Sequence, residues 1–438
     1  MSRKKYSVVR VLLCLAALMF SVSISRAQKT DALGTYTPYS MFGLGQMVFD
    51  GSSYNMSMGG IGVGIRDNRY INYVNPASIT ARDTLAFMLD FGLLQKNIYG
   101  RDRNGNTSAY NICNMQNFAF TVPIYRKSAF IIGIQPYSNV GYKFLSTETD
   151  KELVSEIGDI KYQKYGTGSI YQLFFGAAVT FAKYFTVGAQ GLYYFGYIDR
   201  HSDILFNSSS SYKTVNTGWS DKVGAFTGKF GIQYEQPFPS VNSELVIGAT
   251  YKIGTRMNGY HTRYAMTNIN SYIDTVMYQQ RDDMKLRVAE EFGVGISYRV
   301  KDKWMVGVDY IQQNWSGSSF TGFEDGSGIE YVNARYYKAG FEYVPNRYDI
   351  RHYMNRVTYR AGLFFEESYL RINGSRVNAA GITIGATFPV LRLYNGITVA
   401  INMGQRGSLR KEQVRERYIN FMVNFNLHDI WFVKYRYD

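Results

Sequence analysis

The chain has 438 residues, with 48 Lys and Arg against 34 Asp and Glu, for a formal charge of +14. Two cysteines are too few for a disulfide framework, and the cations are scattered rather than gathered into a run, which speaks against a nucleic-acid surface. The 39 Tyr, 28 Phe and 42 Gly beside only 8 Pro suit a β-barrel whose strands are apolar on one side only.

Residues 1–27 read as a secretory signal peptide. Arg3, Lys4, Lys5 and Arg10 open it, Val11 to Val22 is its apolar stretch, and Ser25-Arg26-Ala27 offers a cleavage site. The apolar stretch is too short to span a bilayer, which needs ~20 residues. Removing the five basic residues of this segment takes the charge to +9 and leaves Cys113 as the sole cysteine. Cys113 precedes an apolar run and reads as a small buried residue rather than a nucleophile.

Residues 28–83 break any strand pattern with eight glycines, among them Gly59, Gly60, Gly62 and Gly64, while Met41, Met47, Met56 and Met58 supply pliable apolar contacts. A linker, a soluble subdomain and a plug inside a barrel all fit this composition.

From residue 84 to 428, period-two alternation recurs. Ile397, Val399, Ile401 and Met403 share one face against Thr398, Ala400, Asn402 and Gly404. Ile419, Phe421, Val423, Phe425 and Leu427 oppose Asn420, Asn424 and Asn426. Successive side chains on a strand point to opposite faces, so each segment has one oily and one small or polar side. The export signal, strand lengths near the ~9–11 residues of a membrane strand, and alternating short and long connections favour a transmembrane barrel over a soluble sandwich. Fourteen strands are expected, near 84–94, 110–123, 128–140, 170–182, 185–199, 222–235, 243–255, 288–300, 304–316, 335–344, 356–366, 378–388, 396–405 and 417–427. The even count returns both chain ends to the periplasm. The fold expected is thus all-β: a 14-stranded antiparallel barrel in the bacterial outer membrane, surrounded by lipid and lipopolysaccharide. Residues 429–438 form a periplasmic tail in which Trp431, Lys434 and Tyr435 would dock a partner or rest at the bilayer interface.

Several motifs carry a family resemblance. Met58-Gly59-Gly60-Ile61, then Asp67-Asn68, then Asn75-Pro76-Ala77-Ser78-Ile79-Thr80 leading into Leu85-Ala86-Phe87, resembles the opening of FadL-type hydrophobic-compound transporters. The resemblance implies that residues 28–83 are a hatch inside the lumen, with Asn75, Pro76 and Ala77 as its motif. It also implies that the third strand, which reads Ala129-Phe130-Ile131-Ile132-Gly133-Ile134-Gln135-Pro136-Tyr137, kinks inward at Gly133 and Pro136 to open the wall sideways. Alternatively the strand ends at Gln135 and Pro136 begins a loop. The loop 141–169 contains Thr149-Asp150-Lys151-Glu152, a helix capping box, followed by Leu153, Val154, Ile157 and Ile160 at helical spacing. That stripe suits an apolar capture groove as well as a helix packed on other loops.

Enzyme signatures are absent: no Gly-x-Ser-x-Gly, no His-Glu-x-x-His and no phosphate loop. The four histidines, His201, His261, His352 and His428, fall far apart in expected loops or turns, and Glu324-Asp325 reads as a solvated acidic turn. No catalytic residue, metal or cofactor is expected. The resemblance favours uptake of a fatty-acid-like or aromatic hydrophobic small molecule through the barrel wall. The alternative is a non-transporting barrel that serves as a structural subunit or docking platform for other proteins of an outer-membrane complex, through the tail or the long loop 256–287.

Overall fold

The computed structural model describes residues 34–83, 86–125, 127–206, 213–269, 272–282, 286–316, 318, 320, 328–390, 395–409 and 413–430. The signal-peptide segment, the acidic turn and the tail residues Trp431, Lys434 and Tyr435 lie outside them.

All fourteen expected barrel strands are present. A two-residue strand, β1 (Gln46–Met47), belongs to the N-terminal segment. The wall begins with β2 (Ala86–Arg101), β3 (Thr107–Pro123), β4 (Ser128–Thr147), β5 (Ile160–Phe181), β6 (Phe185–Phe206), β7 (Val215–Phe238) and β8 (Ser243–Lys252). Four strands of the following connection interrupt it: β9 (Thr255–Arg256), β10 (Asn258–Ile269), β11 (Tyr272–Arg281) and β12 (Arg287–Val288). It resumes with β13 (Glu290–Val300) and β14 (Trp304–Asn314), passes the short β15 (Ile329–Tyr331), and finishes with β16 (Ala334–Tyr343), β17 (Thr358–Ile372), β18 (Ser375–Pro389), β19 (Gly396–Arg406) and β20 (Arg415–Ile430). Each wall strand pairs antiparallel with the next, and β2 closes the ring on β20 from Ala86↔Ile430 to Arg101↔Arg415. The final strand therefore runs two residues into what the sequence marks as tail.

Burial is inverted relative to a water-soluble protein. On β20, Ile419, Phe425 and Leu427 are exposed while Asn424 and Asn426 are buried. On β7, Phe226 is exposed and its neighbour Thr227 is buried. An apolar outer band over a polar interior is stable only where the outside is hydrocarbon. Cys113 falls on the outward face of β3 and is exposed, not buried, because the period-two register places it with the lipid-facing residues.

Strand lengths exceed the membrane. β5, β6 and β7 have 22, 22 and 24 residues, roughly twice what a tilted crossing requires. Their upper ends stand above the bilayer, and β10 pairs with upper β7 from Asn258↔Gly224 to Thr267↔Val215. The expected long loop 256–287 is thus largely a sheet extension. His201 and His261 lie in these extensions, and His428 in β20, rather than in loops. At the opposite end the connections are short, except for the ordered 345–357 loop between β16 and β17. By the loop-length rule for bacterial barrels this is the periplasmic end.

Candidate functional site: the filled lumen and the gap in the wall

The segment from Gly34 to Asp83 lies inside the barrel, with Leu44, Tyr54, Met58, Ile61 and Val63 all fully buried. Side chains are not what brings it close to the wall. A Cβ on Gly188 would strike the Pro76 backbone, on Gly248 the Val63 carbonyl, on Gly295 the Gly64 backbone, on Gly340 the Met58 carbonyl, and on Gly362 the Gly59 amide. These five glycines lie on β6, β8, β13, β16 and β17, so the wall carries a belt of bare backbone against which the plug lies directly.

The expected hatch motif sits within this belt. Asn75 caps a short 3₁₀ turn, Pro76–Thr80, accepting from the Ala77 amide at 3.0 Å. Proline suits the first position of that turn because no amide is needed there. The Asn75 Nδ2 donates to the Val63 carbonyl at 2.8 Å and to the Ile232 carbonyl of β7 at 3.3 Å. The motif therefore ties Val63 and the Pro76–Thr80 turn, both in the second half of the plug, to each other and to the wall.

Three polar networks hold the segment along its height. Near the periplasm, Arg69 bonds Asp67 (Nε, 2.7 Å) and Glu342 of β16 (2.7 Å), and Glu342 also accepts from Arg299 (3.1 Å) and Arg360 (2.9 Å). The Arg360 guanidinium lies 4.7 Å from the Tyr54 ring centroid and 4.8 Å from that of Tyr70. At mid-height, Asp309 of β14 accepts the consecutive amides of Gly62 (2.5 Å) and Val63 (2.8 Å), a backbone nest around a carboxylate. There Asp50 meets Lys229 at 2.8 Å and Gln135 at 2.6 Å, while Glu291 pairs with Lys252 at 2.9 Å. Toward the cell surface, Arg200 donates to the carbonyls of Met41 (3.2 Å) and Gly43 (2.6 Å), and Thr37 bonds Glu416. Removing either partner of such a buried charge pair costs about 3–5 kcal/mol.

Among the described residues, the wall loses its pairing between the upper parts of β3 and β4. β3 pairs with β4 only from Phe118↔Ile134 to Pro123↔Ala129. β4 does not end there: it passes through Pro136 with a bulge between Pro136 and Ser138, remaining paired with β5 to Thr147. Gln135 to Tyr142 are buried on both faces of the strand. Proline removes a ladder donor and the bulge bends the strand, so upper β4 turns into the lumen. Gly133 lies below the bend, where a Cβ would meet the Phe174 ring and the Phe118 carbonyl. Its role is to let β3, β4 and Phe174 pack closely.

Plug residues occupy the resulting gap. β1 pairs with β4 as Gln46↔Asn139 and Met47↔Ser138. The Thr37 amide donates to Gly141 (2.8 Å), the Val48 amide to Tyr137 (2.9 Å) and the Tyr36 hydroxyl to the Lys143 carbonyl (2.9 Å). On the β3 side, Asn114 donates to the Gly34 carbonyl at 3.0 Å and Tyr36 stacks on Tyr110. The upper hatch replaces β3 as the neighbour of β4.

Leu153, Val154 and Ile157 lie on the short helix Lys151–Ile157, none of whose residues is buried. Asp150, not Thr149, caps it by accepting the Glu152 amide, because Thr149 gives its own amide to Glu148. Ile160 is buried as the first residue of β5. The four residues do not form one stripe, since the helix stops at Ile157.

The cavities left over are small. One of about 90 Å³ lies between β1 and the strands β2, β19 and β20, beside Phe49, Met56, Ile98 and Met422. Others within the lumen measure about 30 and 20 Å³. Pockets for organic ligands typically span about 300–1,000 Å³. A space within that range, about 390 Å³, is a polar vestibule at the periplasmic mouth bordered by Arg66, Arg82, Glu235 and Arg347. Among the described residues no group of His, Cys, Asp or Glu is arranged to hold a metal.

The BamG family model matches residues 8–438. No curated protein matches the chain in sequence. Among solved structures, the chain is similar to the toluene transporter TbuX of Ralstonia pickettii, with a TM-score of 0.59 at 16% identity over 86% of this chain and 98% of that one. The toluene transporter TodX of P. putida gives 0.57 at 15% over 85% and 97%. A FadL homologue of Pseudomonas aeruginosa gives 0.50 at 12% over 88% and 99%. At these identities the likeness is one of fold.

Proposed function

This chain belongs to the BamG family and has the FadL-like fold of a bacterial outer-membrane barrel, and we propose that it is a sealed barrel serving as a structural subunit and docking platform of a larger outer-membrane protein complex. The filled lumen carries this reading. The cavities described beside the hatch measure about 90, 30 and 20 Å³, and the hatch is fixed at three heights by buried ion pairs and amide-to-carboxylate bonds. A lettered family name is of the kind given to members of an assembly, which agrees with it. Lipid and lipopolysaccharide are the surroundings in which such a barrel would sit.

Isolation of the tagged chain in a mild detergent tests the proposal. The expected result is stoichiometric co-isolation of other outer-membrane proteins, with no hydrophobic small molecule retained by mass spectrometry. Isolation of the chain alone, carrying apolar cargo, would overturn it.

Uptake of hydrophobic small molecules is the second reading, and the β3–β4 gap favours it. Gly133 and Pro136 would mark a lateral exit, Asn75, Pro76 and Ala77 the hatch that gates it, and the helix bearing Leu153, Val154 and Ile157 the point of first capture. The names of the two toluene transporters agree with that route. The hatch would first have to leave the gap it fills.

A further inference from the structure

We propose that the periplasmic vestibule and the 345–357 loop beside it form a binding site for an acidic segment of a partner protein; the inference deepens the platform reading by placing one contact on the periplasmic side. The vestibule encloses about 390 Å³ and is lined by six cationic side chains, Arg66, Arg69, Arg82, Arg299, Lys301 and Arg347, against four carboxylates. Most of the cations are matched: Arg66 by Glu235 at 2.7 Å, Arg299 and Lys301 by Glu244 at 3.5 and 3.6 Å, and Arg347 by Asp302 at 2.9 Å.

Arg82 is different. Its Nη1 donates to the Thr121 hydroxyl at 3.0 Å, its Nη2 is buried with no hydrogen-bond partner, and no carboxylate among the described residues pairs with it. Arg69, only 4% exposed, likewise has an Nη1 that bonds nothing. A buried donor left unpaired is destabilising, and more so when charged. Burial brings the Arg82 guanidinium down to about 10, which reflects the same uncompensated desolvation. A carboxylate entering the vestibule would satisfy both groups with charge-assisted bonds.

The rim supplies the second half of the site. Between β16 and β17, the loop is held in shape by Asp349, which accepts the amides of Arg351 (2.7 Å) and His352 (2.8 Å) and the Asn355 side chain (2.6 Å). Arg347 and Tyr348 on its near side line the vestibule. Its tip presents Ile350 at 96% exposure and Met354 at 55%. An ordered loop that holds apolar side chains in water beside a cation-rich cavity matches a peptide with acidic and apolar residues, and an inorganic anion would leave the tip unused. Glu235, Glu244 and Arg299 come from the inner faces of β7, β8 and β13. The cavity is therefore walled off from the bilayer, which argues against a lipid headgroup as occupant.

Two measurements on the full exported chain test the site. In detergent, a fluorescent peptide of alternating Leu, Asp and Glu should bind at least tenfold more tightly than its Leu-Lys counterpart. Arg82→Gln should weaken it about tenfold, and Arg82→Lys should restore most of the loss. In cells, a photo-crosslinking amino acid at Ile350 should yield one discrete protein adduct that Arg82→Gln diminishes. Equal binding of both peptides, binding indifferent to Arg82, or crosslinks to lipid alone would overturn the proposal. If the chain still isolates with stable partners when Arg82→Gln and Ile350→Asp change nothing, the periplasmic site falls and the platform reading stands. If the peptide binds through Arg82 but no partner ever co-isolates, the reverse holds.

Discussion

Glu342 is the point at which hatch and wall are most tightly coupled by charge. It is 2% exposed and accepts from Arg69 of the hatch and from Arg299 and Arg360 of the wall, at 2.7, 3.1 and 2.9 Å. Replacing it with glutamine keeps the shape and removes the charge, leaving three guanidinium groups with Asp67 and, 3.5 Å from Arg299, Glu244 as their carboxylates. Loss of one member of a buried pair costs about 3–5 kcal/mol. One of the three contacts joins hatch to wall, so roughly a third of that cost, ~1–1.7 kcal/mol, falls on hatch seating, which is a shift of about tenfold. In planar bilayers the wild-type chain should conduct only in rare events, and Glu342→Gln should raise the frequency of ion-conducting events about tenfold. The double variant Glu342→Gln, Arg69→Met removes the surplus cation from the hatch while Asp67 keeps Arg299 at 2.9 Å. It should return to within about twofold of wild type, a coupling that only neighbours show. A Glu342→Gln chain as tight as wild type, with heat-modifiable barrel mobility intact, would refute the argument that charge seats the hatch.

Three further outcomes are expected. Gly248→Val places a side chain against the Val63 carbonyl; overpacking of this kind costs about 1–3 kcal/mol, and bilayer conductance should rise while Gly105→Val, in open space at the cell-surface end, should fold less well without a leak. Pro136→Thr should leave apolar uptake at the wild-type background in a radiolabelled fatty-acid assay, because β1 and not proline alone holds upper β4 away from β3; a change in uptake would favour the transport reading. The Asp349 carboxylate is lowered to about 2 by the His352 amide and the Asn355 side chain. Its folded value lies below the unfolded ~3.9, so its support of the loop is complete above that pH and fades as the pH falls toward 2. Pepsin cleavage within 345–357 should therefore be slow at pH 4.5 and fast at pH 2, with Asp349→Asn cleaved fast at both.

How much of this was legible in the sequence depended on which force acted. Alternation on β19 and β20 is imposed by lipid on one side, and it located every wall strand. Glycine density set residues 28–83 apart from the strands but left linker, subdomain and plug open, and Asn75-Pro76-Ala77 pointed to a plug only through the family resemblance; the capped turn itself, with proline at its first position, is a local device. The passage of β4 through Pro136 was legible only as one of two possibilities, because the segment that takes the place of β3 beside it, β1, lies about ninety residues earlier. The lumen networks were hidden for a related reason. Arg69 looks like an ordinary cation of the glycine-rich segment, Glu342 and Arg360 like ordinary polar residues on alternating strands, and only closure of the barrel brings them together. The wall glycines Gly188, Gly248 and Gly362 did carry a signal: glycine at inward positions of strands otherwise rich in aromatics marks a close backbone approach. The stripe expected on residues 153–160 failed because helical spacing was counted across Gly158, whose φ of +91° ends the helix.

The gap in the wall is where the two functional readings diverge, and its energetics decide how it can be used. Upper β4 has lost β3 as a neighbour, and its backbone is satisfied by the hatch: Gly141 and Tyr137 accept from Thr37 and Val48, and Ser138 and Asn139 pair with β1. Withdrawing the hatch removes these partners, and the water that then fills the lumen takes their place at a net cost of about 0.5–1.5 kcal/mol for each bond lost. A cargo molecule of aromatic size offers no backbone donors or acceptors to replace them. A protein segment does, by pairing with β4 as β1 does, and on the proposed platform role this edge of β4 is a place where a partner's strand would join.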